Sequence, residues 1–490
     1  MGIKDLYPHL VAAKVTVMLK ELAVQEGFQR NHRKQRCLTL VVDANMLDTI
    51  EATSHKMVHS VSAAERLFTL FCKFLQTPTA LIFVFDGTNR PRFKRGVEVK
   101  TRGSSLYRLA RTMIGTFGFY SVEASGEADC LLASLSRSGL VDGVISDDSD
   151  LLVFGVERLL RKSRNEPPQQ ELLFDVYTRE AIQTKLDLTL AALTFVALLR
   201  GTNYHDGVKG CGITIDLQLA QCGFGEALIK GREEHAKVPQ SFSVFLMGWR
   251  SDVQYELLHN TRGHLRHTYP AVAGNISGTF PNLKVLEHFV DVERTPIPEG
   301  CDSLKPQLPN IPNIVGVCRN NLLWTDGEML RRFEAHFWQG VVFQILYSPL
   351  VVYDPRRSTF LEQWLQTKLV KEWPKHARRG KLECVHAAFS LDTLIKASAL
   401  EIPATTPRSM KTTLYVPLTV LSVAKLPRGL SQEEVDAAAA QGMTVGEKPS
   451  NAEEESEENN ELELELESDG IECLYVVEKT KAGDMVIEFF

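Results

Sequence analysis

The chain has 490 residues, 44% apolar and 24% charged, which is the balance of a globular protein and enough length for roughly two to four domains. No apolar run is long enough to span a bilayer, the start MGIKDLYPHL lacks the apolar core of a signal peptide, and the nine cysteines show no CxxC spacing, arguing against a membrane protein, a zinc site or a disulfide framework. The net charge of −6 is unevenly spread: residues 451–470 hold nine Glu, one Asp and no Lys or Arg, and removing those ten charges leaves +4 on the rest. Basic clusters at Arg30–Arg36, Arg90–Arg102, Arg161–Arg164 and His376–Lys381 suit a polyanionic partner.

In chain order, Leu38–Asp43 (LTLVVD) reads as a strand buried on both faces, Ser62–Gln76 as a helix, and Leu81–Asp86 (LIFVFD) as a second such strand. Residues 88–116 are basic and follow the Asp86 strand end, so they read as a gate for nucleic-acid phosphates. Gly126–Gly155 then carries two acidic pairs, Glu127/Asp129 and Asp148/Asp150. The first pair is expected in the first turn of a helix over Ala128–Arg137, where the helix dipole tolerates anions. The second is expected where the strand Val144–Asp148 ends, at the carboxyl edge of an open α/β sheet. Asp43, Asp86 and Asp148 thus converge from three strands. Carboxylates gathered at one place repel, and a bound divalent cation neutralises them; without His or Cys, the donor set suits Mg²⁺ or Mn²⁺.

After an apolar helix from Leu190 comes TNYHDGVKGCGI, a glycine loop able to hold a phosphate through its backbone N–H groups. Residues 296–315 are proline-rich and read as a linker, and Thr325–Gly340 as a helix. Strands are expected at Val341–Leu346, Lys381–Phe389 and Thr412–Val423, forming a small separate module. The acidic stretch reads as a disordered linker, and LYVVEK–TKAGD–MVIEFF as a terminal β-hairpin.

Six pieces, MGIKDL, VVDAN, FVFDG, GEADC, DDSDLLVFG and GTNYHDGVKGCG, span about residues 1–225 in an order that resembles the XPG/flap-endonuclease superfamily of structure-specific nucleases. GCGITIDLQLAQCGFGEAL and the short gate resemble its GEN/Yen branch of Holliday-junction resolvases, in the fungal form; WRSDVQYELL, FPNLKVLEHF and TTLYVPLTVLSV resemble the segments that follow the nuclease core there, where a chromodomain-like module is found. The resemblance implies an α/β fold, with a mostly parallel, twisted, PIN-like nuclease sheet, a helix-two-turn-helix extension and a small chromodomain-like α+β module. It divides the chain into nuclease regions at 1–110 and 111–200, a helix-two-turn-helix region at 201–295, a linker and helix at 296–340, the module at 341–445, the acidic linker at 446–470 and the hairpin at 471–490.

The resemblance also implies phosphodiester hydrolysis in branched DNA (Holliday junctions, 5′ flaps, forks) in repair and recombination, in the nucleus, with two Mg²⁺ ions (Mn²⁺ an alternative) held by Asp43, Asp86, Glu127, Asp129, Asp148 and Asp150. Asp86, Glu127 and Asp148 are the candidate direct ligands. Lys94 would contact the scissile phosphate, and Arg102 or Lys100 would be a second such contact. Gly2 would pack close to the site and the DNA, and Gly210 and Gly212 would grip the duplex backbone with a K⁺ ion. A second copy could join on the junction. Trp364, Trp373 and Tyr347 are available for a methyl-lysine cage in the module, or Lys375, Arg378, Arg379 and Lys381 for further DNA contact.

Departures from the pattern leave a second reading open. Asn203 stands where an Asp is expected, and an amide carries no charge for a second metal. Asp206 is the nearest substitute. ITID after Gly212 lacks the usual basic residues, and Thr49 stands where flap endonucleases place a stacking Tyr. The alternative is therefore a junction-binding relative that cuts weakly or not at all; the six retained acids favour the enzyme.

Overall fold

A computed structural model describes residues 2–31, 36–47, 50, 62–89, 93–94, 97–98, 105–164, 171–202, 204–235, 238–301, 304, 306–347, 353–354, 359–360, 369–398, 400, 410–424, 475–479 and 485–489. Its centre is a seven-stranded sheet. The sheet's strands in chain order are β1 (Lys14–Met18), β2 (Leu38–Asp43), β3 (Thr79–Phe85), β6 (Tyr120–Glu123), β7 (Gly143–Ile145), β8 (Arg158–Lys162) and β9 (Leu173–Thr178), while the short β4 (Phe93–Lys94) and β5 (Val97–Glu98) pair with each other. Sheet order is β1-β9-β8-β7-β2-β3-β6. The five strands from β6 to β8 run parallel, and β9 and β1 close one edge antiparallel.

The apolar strands are buried on both faces. In β2 and β3, Leu40, Val42, Leu81, Phe83 and Phe85 enter one core, and Val41, Ile82 and Val84 the other. Helix Ala63–Leu75 covers the first face, started by a capping box in which the Glu65 amide donates to Ser62 Oγ at 3.1 Å and the Ser62 amide to Glu65 Oε2 at 3.1 Å. Helices Ala128–Arg137 and Leu190–Arg200 cover the second.

The chain runs β2→β3→β6 in one direction and then returns to place β7 on the far side of β2. That reversal is the switch point of the sheet, and a crevice opens at the carboxyl ends of β2 and β7.

Three expectations beyond the sheet are corrected. Val341–Leu346 is not a strand but the middle of helix Trp338–Tyr347, whose apolar run is buried on all sides. Thr412–Val423 splits into strand Lys411–Pro417 and helix Leu418–Ala424, since Pro417 has no N–H to continue the ladder. The proline-rich segment gives way at Ile311 to a helix, with Pro312 in its first turn.

Strands Leu369–Arg379, Leu382–Ser390 and Lys411–Pro417 form an antiparallel sheet whose Val385, Phe389 and Val416, with Val420 of the helix that follows, share one continuous core with Trp338, Val342, Phe71 and Leu75. The late module is thus seated on the nuclease sheet's own helices. Tyr347 lies in that core, its hydroxyl donating to Gln344 Oε1 at 2.7 Å, so it joins no aromatic cage. Trp373 instead stacks on His386 and His386 on Tyr415, at 4.5 and 4.6 Å. Arg379 lies over the Tyr415 ring, and Trp364 lies outside the described residues. Tyr475–Lys479 and Met485–Phe489 pair antiparallel as the expected hairpin. Among the described residues no single helix is long and apolar enough to cross a membrane.

Candidate functional site

The carboxyl ends of β2, β3 and β7 each deliver acid to the crevice. Asp43 ends β2 and is buried. Its Oδ1 accepts from the Asn45 amide at 2.9 Å and its Oδ2 from Ser146 Oγ at 2.8 Å. Ser146 follows β7 and its Oγ also accepts from the Asp148 amide at 3.1 Å, while Asp148 Oδ1 accepts from the Asp150 amide at 3.0 Å. One hydroxyl therefore ties the two strand ends across the switch point. Burial, helped by the negative charges of Asp148 and Asp86, pushes the Asp43 carboxyl up to about 6 against the hydrogen bonds from Asn45 and Ser146.

The opposite wall is a helix start. Glu127 is the N-cap of Ala128–Arg137 and Asp129 lies in its first turn, both buried. The Glu127 side chain makes no capping bond. Asp86, just beyond β3, supplies it by accepting from the Ala128 amide at 2.9 Å. The Gly87 amide donates to Gly126 O at 2.7 Å and the Asn89 amide to Ser125 O at 3.2 Å, so the loop after β3 is laced to the loop before this helix. A Cβ on Gly87 would overlap Ala124 O, which requires glycine there.

Between the walls stands Tyr204, whose hydroxyl is hydrogen-bonded with Glu127. Burial raises its pKa first, then the charges of Asp129, Glu127 and Asp150. His288 packs edge-on against Tyr204 at 4.4 Å, with its Nε2 4.0 Å from Glu127 Oε2. A cavity of about 530 Å³ opens beside Glu127, lined by Asn89, Tyr204, Lys284 and His288 among others. Over the strand-side wall lies the N-terminal loop. The Ile3 amide donates to Ser149 Oγ at 2.8 Å, and Gly2, at φ 84°, sits so close that a Cβ would overlap Asp148 Oδ1 and Ser149 Oγ.

Asp43, Asp86, Glu127, Asp129, Asp148 and Asp150 are thus brought to one crevice with Gly2. Their donors are all carboxylate oxygens, the set that suits a hard divalent cation. Among the described residues, no three acidic, His or Cys side chains close around one point, so the crevice holds no finished metal cage. A cation that keeps several of its waters suits such a crevice. Gly210 and Gly212 lie apart from the acids, in the loop before helix Ile213–Ala220, with Gly210 at φ 82°. The Asn275 side-chain amide braces that loop by donating to Lys209 O at 2.8 Å. Lys94 falls on β4, while Arg102, Lys100, Thr49 and Asn203 lie outside the described residues.

Sequence reasoning missed Ser146, Tyr204, His288 and Ser149. Each is a lone polar residue without a spacing pattern; Ser149, Tyr204 and His288 lay inside quoted motifs that did not single them out, and Ser146 lay in none of the motifs.

Residues 118–203 match the XPG I-region family. The chain is 27% identical over 251 residues to flap endonuclease GEN homolog 1 of Mus musculus, covering 47% of this chain and 26% of that protein. It is 25% identical over 228 residues to the Holliday junction resolvase YEN1 of Saccharomyces cerevisiae, covering 35% of this chain and 28% of that protein. The matched stretch thus spans about a quarter of the length of these relatives. A solved structure of the eukaryotic junction-resolving enzyme GEN-1 binding with potassium covers 90% of this chain and 100% of that one at a TM-score of 0.66 and 21% identity. GEN1 in complex with product DNA, Mg²⁺ and Mn²⁺ gives 0.66 and 22% over the same shares. These likenesses share the fold described above.

Proposed function

We propose that this chain, a relative of the GEN and Yen1 proteins within the XPG superfamily, is a structure-selective, divalent-metal-dependent endonuclease that hydrolyses phosphodiester bonds in branched DNA. One observation carries the reading: five buried acids and the half-buried Asp86, from three strand ends and a helix start, surround one crevice at the switch point of a parallel sheet. Burying so much like charge together has a reason if cations enter, and none if the crevice is inert.

On this reading Asp86, Glu127 and Asp148 would hold two Mg²⁺ ions (or Mn²⁺) directly, with Asp43, Asp129 and Asp150 acting through water. When bound, the ions supply water activation and neutralise charge on the reacting phosphodiester. The protein's own part is orientation. Ser146 fixes Asp43 and the Asp148 backbone, Asp86 fixes the start of the helix that carries Glu127 and Asp129, and Tyr204 fixes Glu127. Gly2 leaves room for close approach of the DNA at Asp148. Lys94 and Arg102 would meet the phosphates at the gate.

The related GEN-1 structure binds potassium. We extend that to the Gly210–Gly212 loop, as the grip on the duplex backbone. Branched DNA, with a second copy on the junction, is the proposed partner, since a related human GEN1 structure holds Holliday-junction DNA. Residues 1–200 would carry the nuclease, 201–295 the duplex grip and 341–445 the accessory module, and a role in DNA repair puts the protein in the nucleus.

The test is cleavage of labelled Holliday-junction, 5′-flap and fork DNA with Mg²⁺ or Mn²⁺, by this chain and by Asn203→Asp. Nicking by the native chain supports the enzyme. Junction binding without nicking by either form overturns it in favour of a binding protein, and nicking by the Asp form alone identifies Asn203 as the disabling residue. Binding should also weaken steeply with salt, as phosphate contacts require.

A further inference from the structure

Arg200 closes the helix Leu190–Arg200, and Gly201 after it, at φ 82°, turns the chain into the glycine loop. Its guanidinium reaches two segments that are far apart in sequence. Nε donates to Lys4 O at 3.2 Å and Nη2 to Asp5 Oδ2 at 2.7 Å, both in the N-terminal loop. Nη1 donates to Cys211 O at 3.3 Å, in the glycine loop. The Arg200 side chain is 18% exposed and that of Asp5 54%, so the bond to Cys211 is partly shielded from solvent while the two to the N-terminal loop face it.

Asp5 has φ 64°, a left-handed backbone that a residue with a Cβ keeps only when its surroundings hold it there. Arg200 bonds both the Asp5 carboxylate and the Lys4 carbonyl beside it. Immediately before this kink, Ile3 is bonded to Ser149 and Gly2 is packed on Asp148.

We infer that Arg200 is a positioning residue. It fixes the bend at Asp5 so that Gly2 and Ile3 stay seated on Asp148 and Ser149, and it ties that seat to the glycine loop. A lysine cannot replace it fully, because three donors aimed in three directions need the planar fork. The consequence for cleavage rests on the nuclease reading; the seating of the N-terminal loop does not.

The experiment uses the full chain as wild type, Arg200→Met, Arg200→Lys and the double variant Arg200→Met/Asp5→Gly. Hydrogen exchange is followed in the peptide covering residues 3–7 and in β2 and β3, without DNA. Junction cleavage is split into kcat and KM. Arg200→Met should speed exchange in residues 3–7 by about tenfold or more with β2 and β3 unchanged, and lower kcat by about tenfold with KM within about threefold. Arg200→Lys should fall between. Glycine adopts φ 64° unaided, so the double variant should recover part of both losses. Unchanged exchange in residues 3–7, a raised KM with unchanged kcat, or faster exchange throughout the sheet would each overturn the inference. If the wild type does not cleave, the nuclease reading falls and the exchange data alone decide the role of Arg200.

Discussion

Among the places where the described residues bury carboxylate, two do so differently. At the sheet edge, Asp43, Asp148 and Asp150 are 2%, 3% and 1% exposed, yet Asp43 and Asp148 accept from named donors and stand with their neighbours around a crevice. Beneath the glycine loop, Asp216 is 0% exposed, and neither of its oxygens meets an N–H or O–H donor among the described residues. Burial pushes its carboxyl up to about 7, against the pull of the Cys211 thiol and the Arg200 guanidinium. Burial alone therefore does not mark a working acid. What marks one is convergence from several elements on a space that a ligand can enter.

The sharpest way to break this comparison is to remove one acid from each place. Asp148→Ala should lower junction cleavage by about 10³-fold or more while leaving the junction Kd within about threefold, since the loss falls on the reacting state and not on the phosphate grip. Asp216→Asn should leave cleavage within about threefold. Equal losses in the two variants would erase the distinction, and unchanged cleavage in Asp148→Ala would refute the site itself.

Asp216 makes a second, thermodynamic prediction. Its folded pKa lies above its unfolded value near 3.8, so its neutral form favours the fold fully below about pH 4, and that advantage is lost as pH rises towards 7. Above neutral pH the native protein carries a buried anion at a cost of up to about 4 kcal/mol. Asn is neutral at every pH. The stability gain of Asp216→Asn over wild type should be near zero at pH 4 and greatest above pH 7, measured by urea unfolding across that range. A gain independent of pH would show that the carboxyl is not the cause.

The parts legible in the sequence are those where one physical cause writes a repeated pattern. Strands buried on both faces must be unbroken apolar runs, so LTLVVD and LIFVFD announced themselves, and the charge ending each run marked the crevice. The same logic misled at Val341–Leu346, because a helix buried all round is equally apolar and short runs carry no usable period. The supports of the site were not legible. Ser146, Tyr204 and Arg200 act through partners 103, 77 and 195 residues away, and no local composition encodes such pairings. The late module's dependence on helix Trp338–Tyr347 was hidden for the same reason: two apolar surfaces meet only in three dimensions.

Ser146 sharpens the comparison most finely, because it is the donor that Asp216 lacks. Its hydroxyl donates to Asp43 Oδ2 and accepts from the Asp148 amide, and both bonds are buried. Ser146→Ala removes both and adds no bulk. An unmet buried carboxylate oxygen costs about 1–3 kcal/mol, so urea unfolding at neutral pH should show a loss in that range. Cleavage should fall by about tenfold, far less than for Asp148→Ala, because the carboxylates remain and only their register across the switch point loosens. A stability loss without any fall in cleavage would mean that Asp43 holds its place unaided, and that the donors around the crevice serve the fold as Asp216 does rather than the site.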